Sequence, residues 1–167
     1  MIERQRKILQ LLDTSGPRLH RLLARLTRRE DAVGDLLQEL LTRLLSSNGF
    51  DEAQDPSAYA YRAAVNLAFE WRRGRKTTCP LLDENRPTAD GPSAAAKMIR
   101  AEELEQVLDA TSRLSDLARD VVVMRYIEQA SYGEIGRRLG KKPQHVRSVC
   151  SKAMAQLREM LANEAKQ

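Results

Sequence analysis

Five polar side chains near the end of the chain have the types and the spacing needed to read a nucleic acid. They are Gln144, His145, Arg147, Ser148 and Lys152. Steps of one, three and four residues place them on one side of an α-helix. Amide, imidazole, hydroxyl and guanidinium groups form hydrogen bonds at base edges, and Arg and Lys also neutralise phosphates. This pattern predicts binding chemistry rather than bond cleavage.

The residues around this face predict a helix-turn-helix that would hold it in place. Ser131 and Glu134 form an S-x-x-E capping box that starts one helix, and Gly140 suits the left-handed position that ends it. Pro143 suits the first turn of a second helix. The apolar face of that helix consists of Val146, Val149, Cys150, Ala153, Met154 and Leu157. A helical hairpin with a solvated outer face is the alternative for this stretch taken alone.

A second group of side chains suited to nucleic acid lies on a helix predicted from Pro56 to about Arg73. Aromatic rings, arginines and an amide alternate there, a combination that stacks on unpaired bases and grips phosphates. The group consists of Tyr61, Arg62, Asn66, Phe69 and Arg73, and it runs into a basic cluster of Arg72, Arg73, Arg75 and Lys76. The alternative is that the aromatic rings complete a helical bundle. That alternative is favoured for Trp71 and stands level with base stacking for Tyr59 and Tyr61.

An acidic face lies on a further helix, predicted over residues 30–47 with a capping box at Thr27 and Glu30. The face consists of Asp31, Asp35, Gln38, Glu39 and Thr42, and the core stripe of Leu37, Leu40, Leu41, Leu44 and Leu45. Such a face can be solvated, or it can dock a basic partner. Spacing alone favours the solvated face.

The N-terminal segments complete a helical bundle. Residues 1–13 predict a short helix, and Ser15-Gly16-Pro17 should break it before the next helix begins. That next helix has Leu19, Leu22, Leu23 and Leu26 at core spacing. Residues 46–56 predict a polar loop that exposes Phe50.

Residues 77–96 are rich in proline and have no sustained period, so they predict a linker. Helical pattern resumes near Lys97, and a helix is predicted from Leu114 to Glu128. The β-branched run at 121–123 could form a strand, but between helical segments it favours a buried helix. We therefore expect an all-α chain made of two small helical domains.

The composition limits the classes of function. Among 167 residues, 4% are aromatic and the net charge is +5, which suits a polyanionic partner. Cys79 and Cys150 stand alone, and neither His20 nor His145 has ligands at metal spacing, so no disulfide, metal or cofactor is expected. No nucleophile–base pair or phosphate loop indicates an enzyme. Without a signal peptide or an apolar run of about 18 residues, the chain is expected to be cytoplasmic, with no membrane insertion.

Three stretches resemble, in order and spacing, the sequence patterns of the bacterial extracytoplasmic-function (group IV) sigma factors of RNA polymerase. EDAVGDLLQELLTRLL is similar to DAxDLxQExFLRLW, and AYAYRAAVNLAFEWRRGRK is similar to WLYRIAxNxAxDxxRRxRR. The stretch from Leu114 to Leu161 resembles LPxxxRxVLxLRxxEGLSYxEIAxxLGxSxGTVKSRLxRARxxLRxxL. The resemblance covers nearly all of residues 15–162. It implies a region 2 domain at 1–76, a linker at 77–96 and a region 4 domain at 97–167.

The resemblance also implies roles for residues at matching positions. Asp31, Asp35, Gln38 and Glu39 would dock on the β′ clamp helices of core RNA polymerase, which replaces the solvated-face interpretation. The loop around Phe50 would capture a base flipped out of the minus-ten element. Minus-ten DNA contacts are expected from Phe50, Tyr61, Arg62, Asn66, Arg72, Arg73 and Arg75. Minus-thirty-five contacts are expected from Gln144, His145, Arg147, Ser148 and Lys152, and the apolar face of region 4 would receive the β flap.

Four departures from the family patterns concern DNA recognition. Tyr59-Ala60 stands where the pattern has Trp-Leu, and His145 stands where it has Thr. Val149 replaces an Arg that could contact a phosphate. Lys142 occupies the N-cap of the recognition helix, where it cannot accept a backbone hydrogen bond. These departures bear on the promoter sequence that is read.

The expected function is therefore that of a sigma factor, which directs core RNA polymerase to promoter DNA and helps to melt the minus-ten element. The family commonly has an anti-sigma factor as a further partner. One alternative is a stand-alone helix-turn-helix regulator whose N-terminal bundle dimerises or senses a ligand. A second alternative is a helical enzyme or adaptor that binds another polyanion.

Overall fold

The computed structural model describes the backbone of residues 2–78 and 92–166 and the side chains of 3–75 and 96–166. Within these ranges the chain is helical and contains no strand, which confirms the all-α class. The N-terminal bundle consists of α1 (Ile2–Thr27), α2 (Glu30–Ser46), α3 (Asn48–Glu52) and α4 (Pro56–Thr78). The C-terminal bundle consists of α5 (Pro92–Ser112), α6 (Asp116–Val122), a π-helical turn (Val123–Ile127), α7 (Tyr132–Leu139) and α8 (Pro143–Glu164). None of the helices described is long and apolar enough to cross a membrane.

Helix α1 runs without interruption through Pro17, so the predicted break at Ser15-Gly16-Pro17 is wrong. An interior proline removes one backbone hydrogen bond and costs about 3 kcal/mol or more. The leucines on both sides of Pro17 bury against the same core: Leu11, Leu19, Leu22, Leu23 and Leu26. Because each buried leucine contributes roughly 1.5–3 kcal/mol, packing outweighs the local penalty.

The turn between α1 and α2 differs from the predicted capping box at Thr27 and Glu30. Thr27 still belongs to α1, and its buried hydroxyl donates to the Leu23 carbonyl at 2.7 Å. Arg28 then adopts a left-handed φ of 56°, which reverses the chain. Arg29 is the N-cap of α2 and makes no side-chain cap hydrogen bond. The N-cap of α2 therefore lies two residues later than the motif predicts, at Arg29 instead of Thr27.

The buried stripe of α2 consists of Val33, Leu36, Leu40 and Leu44. Leu37 and Leu41 are half-buried, whereas Leu45 is 43% exposed, so its expected place in the core is wrong. Adjacent residues differ by 100° around a helix, and the choice of Leu44 as the core position turns Leu45 outward.

Helix α4 begins as predicted, since the Asp55 carboxylate accepts from the Ala58 backbone N–H at 3.0 Å and Pro56 follows the cap. It extends to Thr78, beyond the predicted end near Arg73. Of the predicted linker 77–96, residues 77–78 and 92–96 are helical. The remaining part, 79–91, lies outside the described residues, as does Cys79.

The helix-turn-helix forms as the sequence predicts. Both capping-box hydrogen bonds are present: Ser131 N–H to the Glu134 carboxylate at 2.9 Å, and Glu134 N–H to the Ser131 hydroxyl at 3.2 Å. Gly140 ends α7 with a φ of 62°, a conformation that costs glycine little. Pro143 opens α8, and Lys142 at its N-cap makes no side-chain cap hydrogen bond. Upstream, Val121 to Val123 are buried in helical backbone, as predicted.

Candidate nucleic-acid and protein interfaces

The predicted recognition face of α8 is solvent-exposed along its whole length. Its five members, Gln144, His145, Arg147, Ser148 and Lys152, are all exposed. The opposite face is fixed in the core by Val146, Cys150, Ala153 and Leu157. Because the apolar side of the helix is buried, the rotation of the helix about its axis is fixed. The polar side chains therefore point outward as a group.

Tyr132, at the start of α7, joins this face to the rest of the bundle, and sequence reasoning did not single it out. The Arg125 guanidinium lies 4.6 Å and the Arg147 guanidinium 5.9 Å from the centroid of its ring. Guanidinium groups are attracted to aromatic faces, so the stack restrains Arg147. The tyrosine and both arginines are visible in the sequence, but only the fold brings Arg125 and Arg147 to one ring.

The acidic face of α2 is exposed at Asp31, Asp35, Gln38 and Glu39. Arg29 donates to the Asp31 carboxylate at 2.8 Å, and this hydrogen bond is the main cause that lowers the pKa of Asp31 to about 2. Arg43 donates to Glu39, also at 2.8 Å. The face is therefore acidic with arginines along its edge, and Asp35 and Gln38 are its exposed centre.

Phe50 does not lie on the surface, so its expected exposure in a base-capturing loop is wrong. The loop contains helix α3, and the Phe50 side chain is fully buried against Tyr59, with ring centroids 5.9 Å apart. The Ser47 hydroxyl caps α3 through the Phe50 N–H at 3.3 Å and bonds the Tyr59 hydroxyl at 2.7 Å. Phe50 therefore anchors the loop to α4.

Two basic residues of α1 hold the same loop from its other side, and sequence reasoning missed both. Arg4 Nε donates to Asp51 Oδ1 at 2.8 Å, and Lys7 Nζ donates to the Asp51 carbonyl at 2.9 Å. The Arg4 hydrogen bond lowers the pKa of the Asp51 carboxyl. Because these partners are more than 40 residues apart in the chain, no short-range pattern could reveal the contact.

Two further members of the predicted minus-ten set, in addition to Phe50, are buried and do not face solvent, and Phe69 of the interleaved aromatic group is buried as well. Tyr61 is 3% exposed beneath the Arg18 guanidinium, and burial raises the pKa of its hydroxyl. Arg72 is 6% exposed. Its guanidinium donates to the Leu26 carbonyl at 3.1 Å, to Glu105 at 2.6 Å and to Asp109 at 3.0 Å. The last two acceptors belong to the C-terminal bundle.

The other members of the set lie along the same side of α4. Arg62 Nε donates to the buried Asp120 carboxylate at 3.0 Å, and the Asn66 amide oxygen accepts from Arg119. Arg73 donates to the Ser112 carbonyl at 3.2 Å. Arg75 stacks on Trp71 at 5.1 Å, and Trp71 is half-buried, in agreement with its predicted place in the bundle. Four members of the set, Arg62, Asn66, Arg72 and Arg73, thus bond to the C-terminal bundle.

Among the described residues no group of three or more His, Cys, Asp or Glu side chains is arranged to hold a metal ion. Cys150 is 1% exposed and packs in the core, as predicted.

Replacement of Phe50 by Ala should destabilise the N-terminal bundle by about 3–5 kcal/mol, because it removes a fully buried ring. Urea unfolding followed by circular dichroism measures this change. Leu37→Ala, at a half-buried position, serves as the control and should cost less. If Phe50→Ala leaves the stability unchanged and abolishes promoter melting alone, the ring acts at the DNA and its assignment to the core is wrong.

Comparison with known proteins finds a family match for each of the two helical bundles. Residues 11–78 match the Sigma-70 region 2 family, and residues 110–159 match Sigma-70, region 4. The RNA polymerase sigma-E factor of Streptomyces antibioticus is 34% identical over 130 residues, which cover 76% of this chain and 69% of that protein. The factors of the same name from Streptomyces avermitilis and Streptomyces coelicolor are 33% and 32% identical over 130 residues. Both alignments cover 76% of this chain. They cover 69% of the Streptomyces avermitilis protein and 70% of the Streptomyces coelicolor protein.

A solved structure of the sigma factor RpoE in complex with the anti-sigma factor NepR from Bartonella quintana aligns over 97% of this chain and 98% of that chain. Its TM-score is 0.49 and its sequence identity is 18%. The family itself follows from the sequence matches over both helical bundles. The chain belongs to the bacterial extracytoplasmic-function sigma factors of the sigma-70 family.

Proposed function

We propose that this sigma factor works through three surfaces, one for the polymerase and two for the promoter. As a member of its family, the chain directs core RNA polymerase to promoters. In this proposal the acidic face of α2 docks on the β′ clamp helices, α4 holds the minus-ten element, and α8 reads the minus-thirty-five element. The observation that carries it is the exposed polar face of α8, set opposite a buried apolar face within a helix-turn-helix.

In the minus-thirty-five contact, α8 lies in a major groove with its N-terminal half against the base edges. Gln144, His145 and Arg147 lie in the first two turns, where a recognition helix contacts bases. Lys152 lies further along and is suited to a phosphate. The stack on Tyr132 limits the rotamers open to Arg147, which reduces the entropy lost when it binds DNA.

In the polymerase contact, Asp35 and Gln38 supply the centre of the docking face and Asp31 and Glu39 supply its edges. All four side chains are exposed on α2, so docking requires no rearrangement of the N-terminal core. The neighbouring Arg29 and Arg43 pair with the edge carboxylates. A basic partner would replace those pairs, which cost little to break because water screens exposed ion pairs.

In the minus-ten contact, Arg62, Asn66, Arg72, Arg73 and Arg75 bind melted or adjoining duplex DNA once α4 is free of the C-terminal bundle. Guanidinium groups that now bond carboxylates are suited to phosphates, which present the same charge and a similar geometry. Tyr61 becomes a candidate for base stacking only in that open state.

The chain binds and positions macromolecules and carries out no covalent step, so none of its side chains has a catalytic role. Its place of action is the cytoplasm, and its division is a region 2 domain at 1–76, a linker at 77–96 and a region 4 domain at 97–167. An anti-sigma factor, a partner common in the family, would have to cover one of the three surfaces to act.

Charge reversal at the centre and edge of the acidic face, Asp35→Lys with Glu39→Lys, should weaken binding to core polymerase by about tenfold or more, because like charges would meet at the contact. Fluorescence titration of labelled chain with core polymerase measures the affinity. Asp13→Lys with Glu159→Lys is the matched control, since it makes the same charge change at exposed positions elsewhere. Equal losses in the two variants would refute the docking face.

Removal of the guanidinium in Arg147→Ala should weaken holoenzyme binding to its promoter. A phosphate contact lowers the slope of log K against log salt by about one, and a base contact relaxes specificity by about 1–3 kcal/mol. A salt series on wild-type and mutated promoters separates the two cases. Arg21→Ala, which removes an exposed arginine from α1, is the control. An unchanged affinity and salt slope would exclude Arg147 from the interface.

A further inference from the structure

The turn between α7 and α8 packs directly against Gly136, a buried residue of α7. A Cβ atom at position 136 would lie 2.5 Å from the Lys141 carbonyl oxygen and 3.5 Å from the Pro143 nitrogen. Ordinary contacts of a Cβ atom begin at 3.4 Å, and the obstructing oxygen belongs to the backbone, which cannot rotate away as a side chain can. The turn therefore lies closer to α7 than any residue with a side chain would allow.

Hydrogen bonds hold the turn in this close position. The Lys141 N–H donates to the Gly136 carbonyl at 2.8 Å, and the Val146 N–H donates to the Lys142 carbonyl at 3.1 Å. Gly140 has the left-handed φ of 62° that lets the chain double back on α7. The backbone of α7 and the first turn of α8 are thus joined through a short and fully bonded connection.

Two positions of this connection differ from the sequence pattern of the family, and the two differences fit together. Gly136 stands where the pattern has Ala, the best helix former, although glycine inside a helix is unfavourable. Lys142 stands where the pattern has Ser, and it makes no side-chain cap hydrogen bond. The chain therefore lacks the side-chain cap that usually fixes the start of a helix, and it has a close backbone contact at the same place.

We propose that Gly136 is a positioning residue for promoter reading, because its contact with the turn fixes the start of α8 in place of the missing cap. This inference rests on the proposed function of α8. Gln144, His145 and Arg147 follow the turn directly. They bond base edges only when donor and acceptor lie about 2.7–3.2 Å apart, so their backbone has to be held within about 0.5 Å.

Addition of a single methyl group at position 136 would exceed that tolerance. The distance to the Lys141 carbonyl oxygen would have to grow from 2.5 Å to an ordinary contact of 3.4 Å or more. Because the first turn of α8 follows Lys141 immediately, the displacement passes to the residues that face the bases. The buried side of α8, held by Val146 and Cys150, would remain in the core.

The test compares Gly136→Ala with Gly133→Ala, a matched exchange in the same helix. A Cβ atom at 133 would meet nothing closer than the Ser131 hydroxyl oxygen at 3.9 Å, so a methyl group fits there. Holoenzyme assembled from the full chain and core polymerase selects from a duplex DNA pool whose randomised segment is long enough to contain both promoter elements. Gly136→Ala should bind the sequences selected by the wild type roughly tenfold more weakly, as expected for one lost base contact. Gly133→Ala should bind them like the wild type.

The element at which the preference is lost separates positioning from general damage. Pools selected with Gly136→Ala should keep the minus-ten preference of the wild type, and their preference at the minus-thirty-five element should weaken or change. Circular dichroism should give the same helix content for Gly136→Ala and Gly133→Ala, because the fold of the bundle is retained.

A restored cap provides a second readout. In the Gly136→Ala background, Lys142→Ser supplies a hydroxyl that can accept a backbone N–H from the first turn of α8. Lys142→Ala removes the same charge and supplies no acceptor, so it is the control. Lys142→Ser should recover part of the lost affinity relative to Lys142→Ala, because the cap fixes the start of the helix again.

Equal affinities and equal sequence preferences for Gly136→Ala and Gly133→Ala would overturn the inference. So would equal affinities for Lys142→Ser and Lys142→Ala in the Gly136→Ala background. In both cases the wild-type holoenzyme still selects a minus-thirty-five element, and the positioning inference fails alone. If the wild-type holoenzyme selects no minus-thirty-five element, the proposed function of α8 fails.

Discussion

The pairing of arginines with carboxylates across the two bundles decides which surfaces of this chain are available. Arg72 is buried, and it satisfies three acceptors at once, two of them carboxylates. A guanidinium removed from water needs such partners, since an unpaired buried charge is strongly destabilising. The same charge suits a phosphate equally well. The bonds of Arg72 to Glu105 and Asp109 and a contact of Arg72 with DNA therefore exclude each other.

The two surfaces proposed to bind the promoter, on α4 and α8, are held in place in different ways. In the C-terminal bundle, the capping box, Gly140 and the buried face of α8 fix the recognition helix without help from distant residues. Lys142 makes no side-chain cap hydrogen bond at the start of α8, and Val149 stands where the family pattern has an arginine. This DNA-binding surface therefore has fewer phosphate contacts than the pattern implies. Attachment to the polymerase compensates for the missing contacts, because it raises the effective concentration of each surface at its own promoter element. In the N-terminal bundle, the surface proposed for the minus-ten element is accessible only when α4 is not bonded to the C-terminal bundle.

The sequence was sufficient at most positions where local chemistry decides the structure, and the capping box predicted at Thr27 and Glu30 is the exception. The capping box, the left-handed Gly140, the Asp55 cap and the buried Cys150 all follow from short-range rules, and all are present. It was insufficient where distant residues decide. Pro17 remains in a helix because leucines on both sides share one core, and Phe50 is buried because Tyr59 and Ser47 hold it. The candidate residues of α4 were identifiable by type, but their pairing with Glu105, Asp109 and Asp120 joins positions more than 30 residues apart, which no periodicity encodes.

The distance between the bundles tests the account most directly. Spin labels can be attached at Asp13→Cys in α1 and Glu159→Cys in α8, which are exposed positions. Cys79→Ser removes one native thiol, and the other, Cys150, is buried. Double electron–electron resonance would measure their separation in the free chain and in the complex with core polymerase and promoter. The account predicts one short distance in the free chain and a clearly longer distance on the promoter, where the two bundles bind separate elements. The same distance in both states would contradict it.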